Sequence, residues 1–189
     1  HVAKGVYNLN TGEQFAFTVK NVDLIGNPDD LEPVKIATQM TFKNSKVKGL
    51  HFYRSIEAQD GTVIQGNAFS GINGNAINFR IRGSGKIHGN SFKDNQGAID
   101  GDVDSGSLTV NNNTLLNNSR GASINLVREG EVAIASNQVR AAERGRGFYI
   151  SLRGGKCRAI IQDNEITARV GIGLSFRSGG LFGRSLGRR

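Results

Sequence analysis

The chain has no tryptophan, one methionine, one cysteine and two prolines among its 189 residues. A lone Cys157 excludes an intramolecular disulfide framework and leaves the redox compartment open. No apolar run approaches the roughly 18 residues that a membrane-crossing helix needs. The chain starts at His1, and no basic stretch there leads into an apolar one, so no secretory signal peptide is read. Helical spacing of apolar residues over ten or more positions is also missing, which argues against helical repeats, and the dense leucine pattern of leucine-rich repeats is absent. Acidic residues are scarce in one region only. Residues 140–189 carry Glu143, Asp163 and Glu165 against 11 Lys and Arg, whereas residues 1–139 carry 13 of each sign. The net charge of +8 therefore lies in the last quarter, where a partner of negative charge would fit.

Glycine, by contrast, is abundant at 26 residues. The hydrophobic fraction of 37% is low for a globular domain, but the apolar residues fall in short groups separated by Gly, Asn and Ser. That distribution predicts many short strands joined by tight turns.

One unit recurs. Ile64-Gln65-Gly66-Asn67-Ala68-Phe69 returns as Ile87-His88-Gly89-Asn90-Ser91-Phe92 and as Val110-Asn111-Asn112-Asn113-Thr114-Leu115. Looser copies surround Asn137 and Asn164, and the successive Asn intervals are 23, 23, 24 and 27 residues. Asn44 precedes Asn67 by 23 and is read as a weaker earlier copy. A second apolar group follows each Asn, usually after a Gly such as Gly74, Gly97, Gly121, Gly147 or Gly171. Strands of three to five residues cannot bury a face alone, but equivalent strands stacked in parallel can. The expectation is an all-β, single-stranded right-handed parallel β-helix of about eight coils, each of roughly 23 residues. An Asn at the same bend of every coil would form an internal ladder satisfying buried turn amides. Phe69, Phe92, Leu115, Val139 and Ile166 would stack inside. Residues 1–189 are read as one such domain.

The first segments depart from this unit. They read Val2-Ala3-Lys4-Gly5-Val6-Tyr7, then Thr11-Gly12-Glu13-Gln14-Phe15, then Val22-Asp23-Leu24-Ile25-Gly26. This order resembles a bacterial and archaeal family of parallel β-helix domains of unknown function, pectate-lyase-like in fold, with the signature V-x-x-G-x-Y, T-G-E-x-F, V-x-L-x-G. Lys4 and Ala16 stand where that family usually has proline. The resemblance implies an extracytoplasmic origin, secreted or in the cell envelope, and a capping segment ahead of the first coil, which this chain is expected to lack. It brings no catalytic residues, since none are established for the family. At the other end, residues 179–189 break the repeat and are read either as a cap using Leu181 and Phe182 or as a frayed tail.

Two clusters stand out beside the repeat. Asp100, Asp102 and Asp104 alternate like the first ligands of a calcium loop, where oxygens surround a hard cation. The full loop pattern fails, since Gly106 sits at the seventh position and Asn111 at the twelfth, so a solvated acidic turn is the alternative to a Ca²⁺ clamp. Arg144, Arg146, Arg153, Lys156 and Arg158 form the basic cluster, in the longest Asn interval, where a loop of about four extra residues is expected to bulge. Guanidinium forks suit carboxylates and sulfates, so an acidic polysaccharide is the partner considered, with a merely basic surface as the alternative. Nucleic acid fits less well, because only Phe148 and Tyr149 interleave the charges.

Signs of catalysis are few. The polygalacturonase pattern and the R-x-P-x-x-R segment of pectate lyases are both absent. His51 and His88 lie 37 residues apart, without an acid or Ser beside them in sequence, and read as surface histidines. The expectation is a non-catalytic secreted or envelope β-helix module, and the alternative is a lyase or glycoside hydrolase acting on an acidic polysaccharide.

Overall fold

The structure, a computed structural model, describes residues 6–7, 17–26 and 34–177. Every strand pairing among them is parallel. The chain winds as a parallel β-helix whose wall is two sheets. A narrow eight-stranded sheet stacks Val6–Tyr7, Val34–Ile36, Leu50–Phe52, Ala68–Ser70, Ser91–Lys93, Thr114–Leu116, Gln138–Arg140 and Glu165–Thr167. A wide thirteen-stranded sheet closes the rest of the tube. Its first flank includes Ile56–Gln59, Asn75–Ile81, Arg146–Leu152 and Val170–Phe176, and its second flank includes Val63–Gln65, Ser84–His88 and Arg158–Gln162. Two long strands, Gly97–Asn111 and Arg120–Ala135, run through both flanks and bend between them.

Eight rungs of the narrow sheet enclose about seven turns, one fewer than the repeat count suggested. The turns are also unequal. Ala68, Ser91 and Thr114 pair at 23-residue steps, but Lys35, His51 and Ala68 pair at steps of 16 and 17. The early turns are short at their corners: Phe52 to Ile56 takes four residues where Phe69 to Ile77 takes eight, and Gln59 to Ile64 takes five where Arg80 to Ile87 takes seven.

Alternation along each strand puts one side chain of every pair inside. Ile64, Ile87, Val110 and Ile134 stack in register on the second flank, all buried. On the narrow sheet Phe52, Phe69 and Phe92 stack face to face, with centroids 5.0 Å apart at each step. Burying each such ring contributes about 2–3 kcal/mol before its neighbours' contacts are counted.

The corner leading into the narrow sheet recurs in every later turn. Gly66, Gly89, Asn112, Ser136 and Asp163 adopt left-handed backbone there, with φ between 53° and 65°. The asparagine that follows turns inward. Asn67, Asn90, Asn113 and Asn137 each donate from Nδ2 to Oδ1 of the Asn one turn on, at 2.8–3.2 Å, ending on Asn164. The same Oδ1 accepts the backbone N–H of the preceding Asn. Nδ2 also reaches a carbonyl of the turn before, so buried amide and backbone groups are satisfied together. Below Asn67 this level is held by Leu50, whose N–H donates to Asn67 Oδ1 at 3.0 Å. Asn44 is therefore not a member of this stack. It is exposed at the bend between the flanks and donates to Asn21 Oδ1. A second buried pair, Asn95 and Asn118, supports the corner that leaves the narrow sheet.

Tyr7 lies in the first rung, and Leu24 and Gly26 are described, whereas Gly5, Gly12, Glu13 and Phe15 lie outside the described residues. So do residues 178–189, including the segment read as a cap or a tail.

Candidate ligand-binding face

The first flank presents side chains outward in rows, because each rung repeats the register of the one below. Glu57, Asn78, Asp100, Ser123 and Tyr149 make one row. Gln59, Arg80, Asp102 and Asn125 make the next, which continues to Ser151, buried and accepting from Arg153 Nε at 3.4 Å, and to Ser175. Where the chain enters the flank, Asn75, Gly97, Arg120 and Arg146 share a register. The Arg120 guanidinium crosses over Gly97 to donate to Asn75 Oδ1 at 3.2 Å. A Cβ on Gly97 would stand 2.3 Å from that oxygen, so the bridge needs glycine beneath it. Asn75 in turn donates to Asn78 Oδ1 at 3.1 Å, which carries the network into the outward row.

The structure divides the basic cluster between two corners. Arg144 and Arg146 are exposed at the corner between the narrow sheet and the first flank. Arg153, Lys156 and Arg158 lie at the bend between the flanks. There Lys156 Nζ is 2.9 Å from Glu129 Oε1 and Arg158 is 3.5 Å from Glu131. The bond to Lys156 holds the Glu129 carboxyl below its ordinary range and raises the lysine. Ser105, Arg128, Glu129, Gly155 and Lys156 line a shallow, open cavity at this bend. The extra residues of the long Asn interval are shared between the two corners. Gln138 to Arg146 takes two residues more than Thr114 to Arg120, and Leu152 to Arg158 one more than Leu126 to Glu131.

The three aspartates also part company. Asp100 and Asp102 point outward from one strand, and Asp102 Oδ1 accepts from Asn125 at 3.0 Å. Asp104, past the register shift between Val103 and Ser105, is gripped by both guanidinium arms of Arg128 and lies 3.4 Å from Arg82. The Arg128 bonds hold its carboxyl below the ordinary value. Among the described residues no group of three or more His, Cys, Asp or Glu converges as metal ligands would. Cys157 is half-buried, with its thiol 3.5 Å from the Arg128 carbonyl. No helix among the described residues is long and apolar enough to cross a membrane.

Sequence reasoning missed Arg120 as a partner of Arg146. The two are 26 positions apart, and only the register across an irregular turn brings them side by side. It also treated His51 as isolated. On the outer side of the narrow sheet His51 Nε2 lies 2.7 Å from Ser70 Oγ, and its ring stacks on Tyr53 with centroids 4.3 Å apart.

A family model described as "Right handed beta helix region" matches residues 34–182. The chain belongs to the right-handed β-helix family. This agrees with the parallel winding described above and makes the hand of the solenoid right-handed. Searches of curated proteins and of solved structures gave no match.

Proposed function

We propose that this right-handed β-helix is a non-catalytic module of a secreted or envelope protein, pectin-lyase-like in build, that holds an acidic polysaccharide against the entry edge of the first flank. The supporting observation is the pairing of Arg120 and Arg146 on adjacent rungs. Their backbones are one rung, about 4.8 Å, apart, and with the Arg120 guanidinium turned back to Asn75 the two cations flank an edge that a run of anionic groups can bridge. Neither arginine forms an ion pair among the described residues. Carboxylate or sulfate groups of a glycan chain match guanidinium forks. Tyr149, 40% exposed and three residues along from Arg146, offers a ring for a sugar to lie on. Arg144 extends the positive edge. The stacked asparagines serve in this reading as an internal ladder that keeps the rungs, and so the arginine spacing, fixed.

Retention on immobilised polygalacturonate or heparin, compared with neutral dextran, tests the proposal. Retention should fall with salt, and Arg120→Met with Arg146→Met should weaken it by about tenfold or more, as expected for lost charge-assisted hydrogen bonds. Unchanged retention in the double variant refutes it. One observation favours the enzymatic alternative: Asp100 and Asp102 share an outer face, and Arg80 is in register with Asp102. Chain cleavage, scored with and without Ca²⁺ in the same screen, would replace the non-catalytic reading with a lyase or hydrolase. Cleavage that depends on Ca²⁺ and is lost in Asp100→Asn would place the ion at these aspartates.

A further inference from the structure

On the narrow sheet, away from the first flank, a serine and a histidine meet across two rungs. The short third turn sets this up: His51 pairs with Ala68, so Ser70, two residues on and facing the same way, lies diagonally beside the imidazole. Nε2 is 2.7 Å from Ser70 Oγ. Tyr53 covers one side of the ring and places its hydroxyl 3.3 Å from Nδ1. In the Nδ1–H tautomer the lone pair of Nε2 faces the serine hydroxyl, as a general base requires.

The surroundings favour the neutral base and a negative transition state. Burial, then the charge of Lys35 on the preceding rung, holds His51 below the ordinary imidazole value. Lys93 stands in register with Ser70 on the following rung, where its ammonium can approach an oxyanion formed at that serine. No carboxylate neighbours the pair on these strands: the flanking outward residues are Lys35, Ala68, Ser91 and Lys93. An open trough lies at the entry end of these short strands, lined by Leu50, Gly66, Ala68, Gly89, Ser91 and Thr114, and neither His51 nor Ser70 lines it. It exists because the left-handed corner residues Gly66 and Gly89 carry no side chains. A Cβ at Gly66 would meet nothing within 4 Å.

We propose that Ser70 and His51 form a nucleophilic dyad that cleaves carboxylic esters presented to this outer face of the narrow sheet. Ser70 Oγ bonds to the ester carbonyl carbon while Nε2 takes the hydroxyl proton. The tetrahedral oxyanion, facing Lys93, collapses and breaks the carbon–alkoxy bond, and the leaving alcohol takes the proton from Nε2. Water then attacks the acyl-serine. Nε2 accepts its proton and returns it to Ser70 as the carboxylic acid departs.

The test is labelling of the full chain with a fluorophosphonate probe, with the adduct located by peptide mass spectrometry, beside turnover of p-nitrophenyl acetate. Labelling should fall on Ser70 and vanish in Ser70→Ala. His51→Gln should slow it about 100-fold, the usual size of a lost general base. The rate should rise with pH through the ionisation of His51 and then level. Ser107→Ala, exposed on the second flank, should label and turn over as the unmodified chain does. Labelling that survives in Ser70→Ala, or that is no faster at Ser70 than at Ser107, overturns the proposal. So does His51→Gln labelling at an unchanged rate while its β-sheet circular dichroism is native.

Discussion

An inner rung of the solenoid and its last described rung share one pattern of residues and differ in what it buries. Phe148 and Ile150 are 1% and 0% exposed, while Ile172 and Leu174, their register partners one rung on, are 46% and 52% exposed. Phe176, paired with Leu152, is 72% exposed. The strands are equally apolar and equally hydrogen-bonded to the rung below. What differs is that a middle rung is covered on both sides, whereas the last has described neighbours on one side only. In a stacked fold, burial belongs to the sandwich of rungs rather than to any strand.

Substitutions at matched levels should expose this gradient. The largest effect is expected in the phenylalanine stack: Phe92→Ala should cost about 3–5 kcal/mol in denaturant unfolding, because the rungs above and below cannot collapse into the gap. Ile166→Ala, at the same position near the end and only half-buried, should cost about 1–2 kcal/mol. Equal losses would show that the end is packed as tightly as the middle.

The Asn corners come next. Asn113→Ala leaves the Asn90 N–H without its acceptor, takes one bond each from the Asn90 amide and the Ile87 carbonyl, and should cost about 2–3 kcal/mol. At Asn164, half-buried and the last of the stack, the same change should cost about 1 kcal/mol.

Hydrogen exchange compares the two regions without mutation. Amides of Ile99 and Ile124 should be protected close to the global unfolding limit, and those of Ile172 and Leu174 should exchange faster through local opening.

The smallest effect concerns acid. Asp104 has its carboxyl held down by Arg128, so its contribution is present above the unfolded carboxylate value near pH 4 and is lost as pH falls through the depressed one. Arg128→Met should remove most of that component, so stability falls slightly at neutral pH, stays the same in acid below the depressed carboxyl value, and the acid profile flattens. A variant with the same acid profile as the original chain would remove Arg128 as the cause.

The winding was legible because two successive turns, from Ala68 to Thr114, have equal length, and an equal step repeats the same residue types at the same place. Where the step changes, sequence spacing misleads. Asn44 sits 23 residues before Asn67, yet the intervening turn is short, and Leu50 takes that level. His51 and Ser70 are 19 residues apart, a separation that means nothing on a 23-residue period and becomes contact only across a 17-residue step. Arg120 and Arg146 meet across a lengthened turn for the same reason. Asn95 and Asn118 do keep the 23-residue interval, but they lack the flanking apolar pattern that drew attention to the other corner. The basic quarter was visible as composition. Its division between two corners was not, because Glu129 and Glu131 neutralise part of it from the previous rung.

The equal step has an engineering meaning. Residues 91–113 begin and end at the same point of the winding as residues 68–90, with matching corners and matching inward side chains. A whole turn is thus a replaceable part. Removing or duplicating that segment in one piece would join Asn90-like ends to Thr114-like starts without rotating a single strand. The tube would shorten or lengthen by one rung while both of its ends, and the chemistry they carry, kept their form.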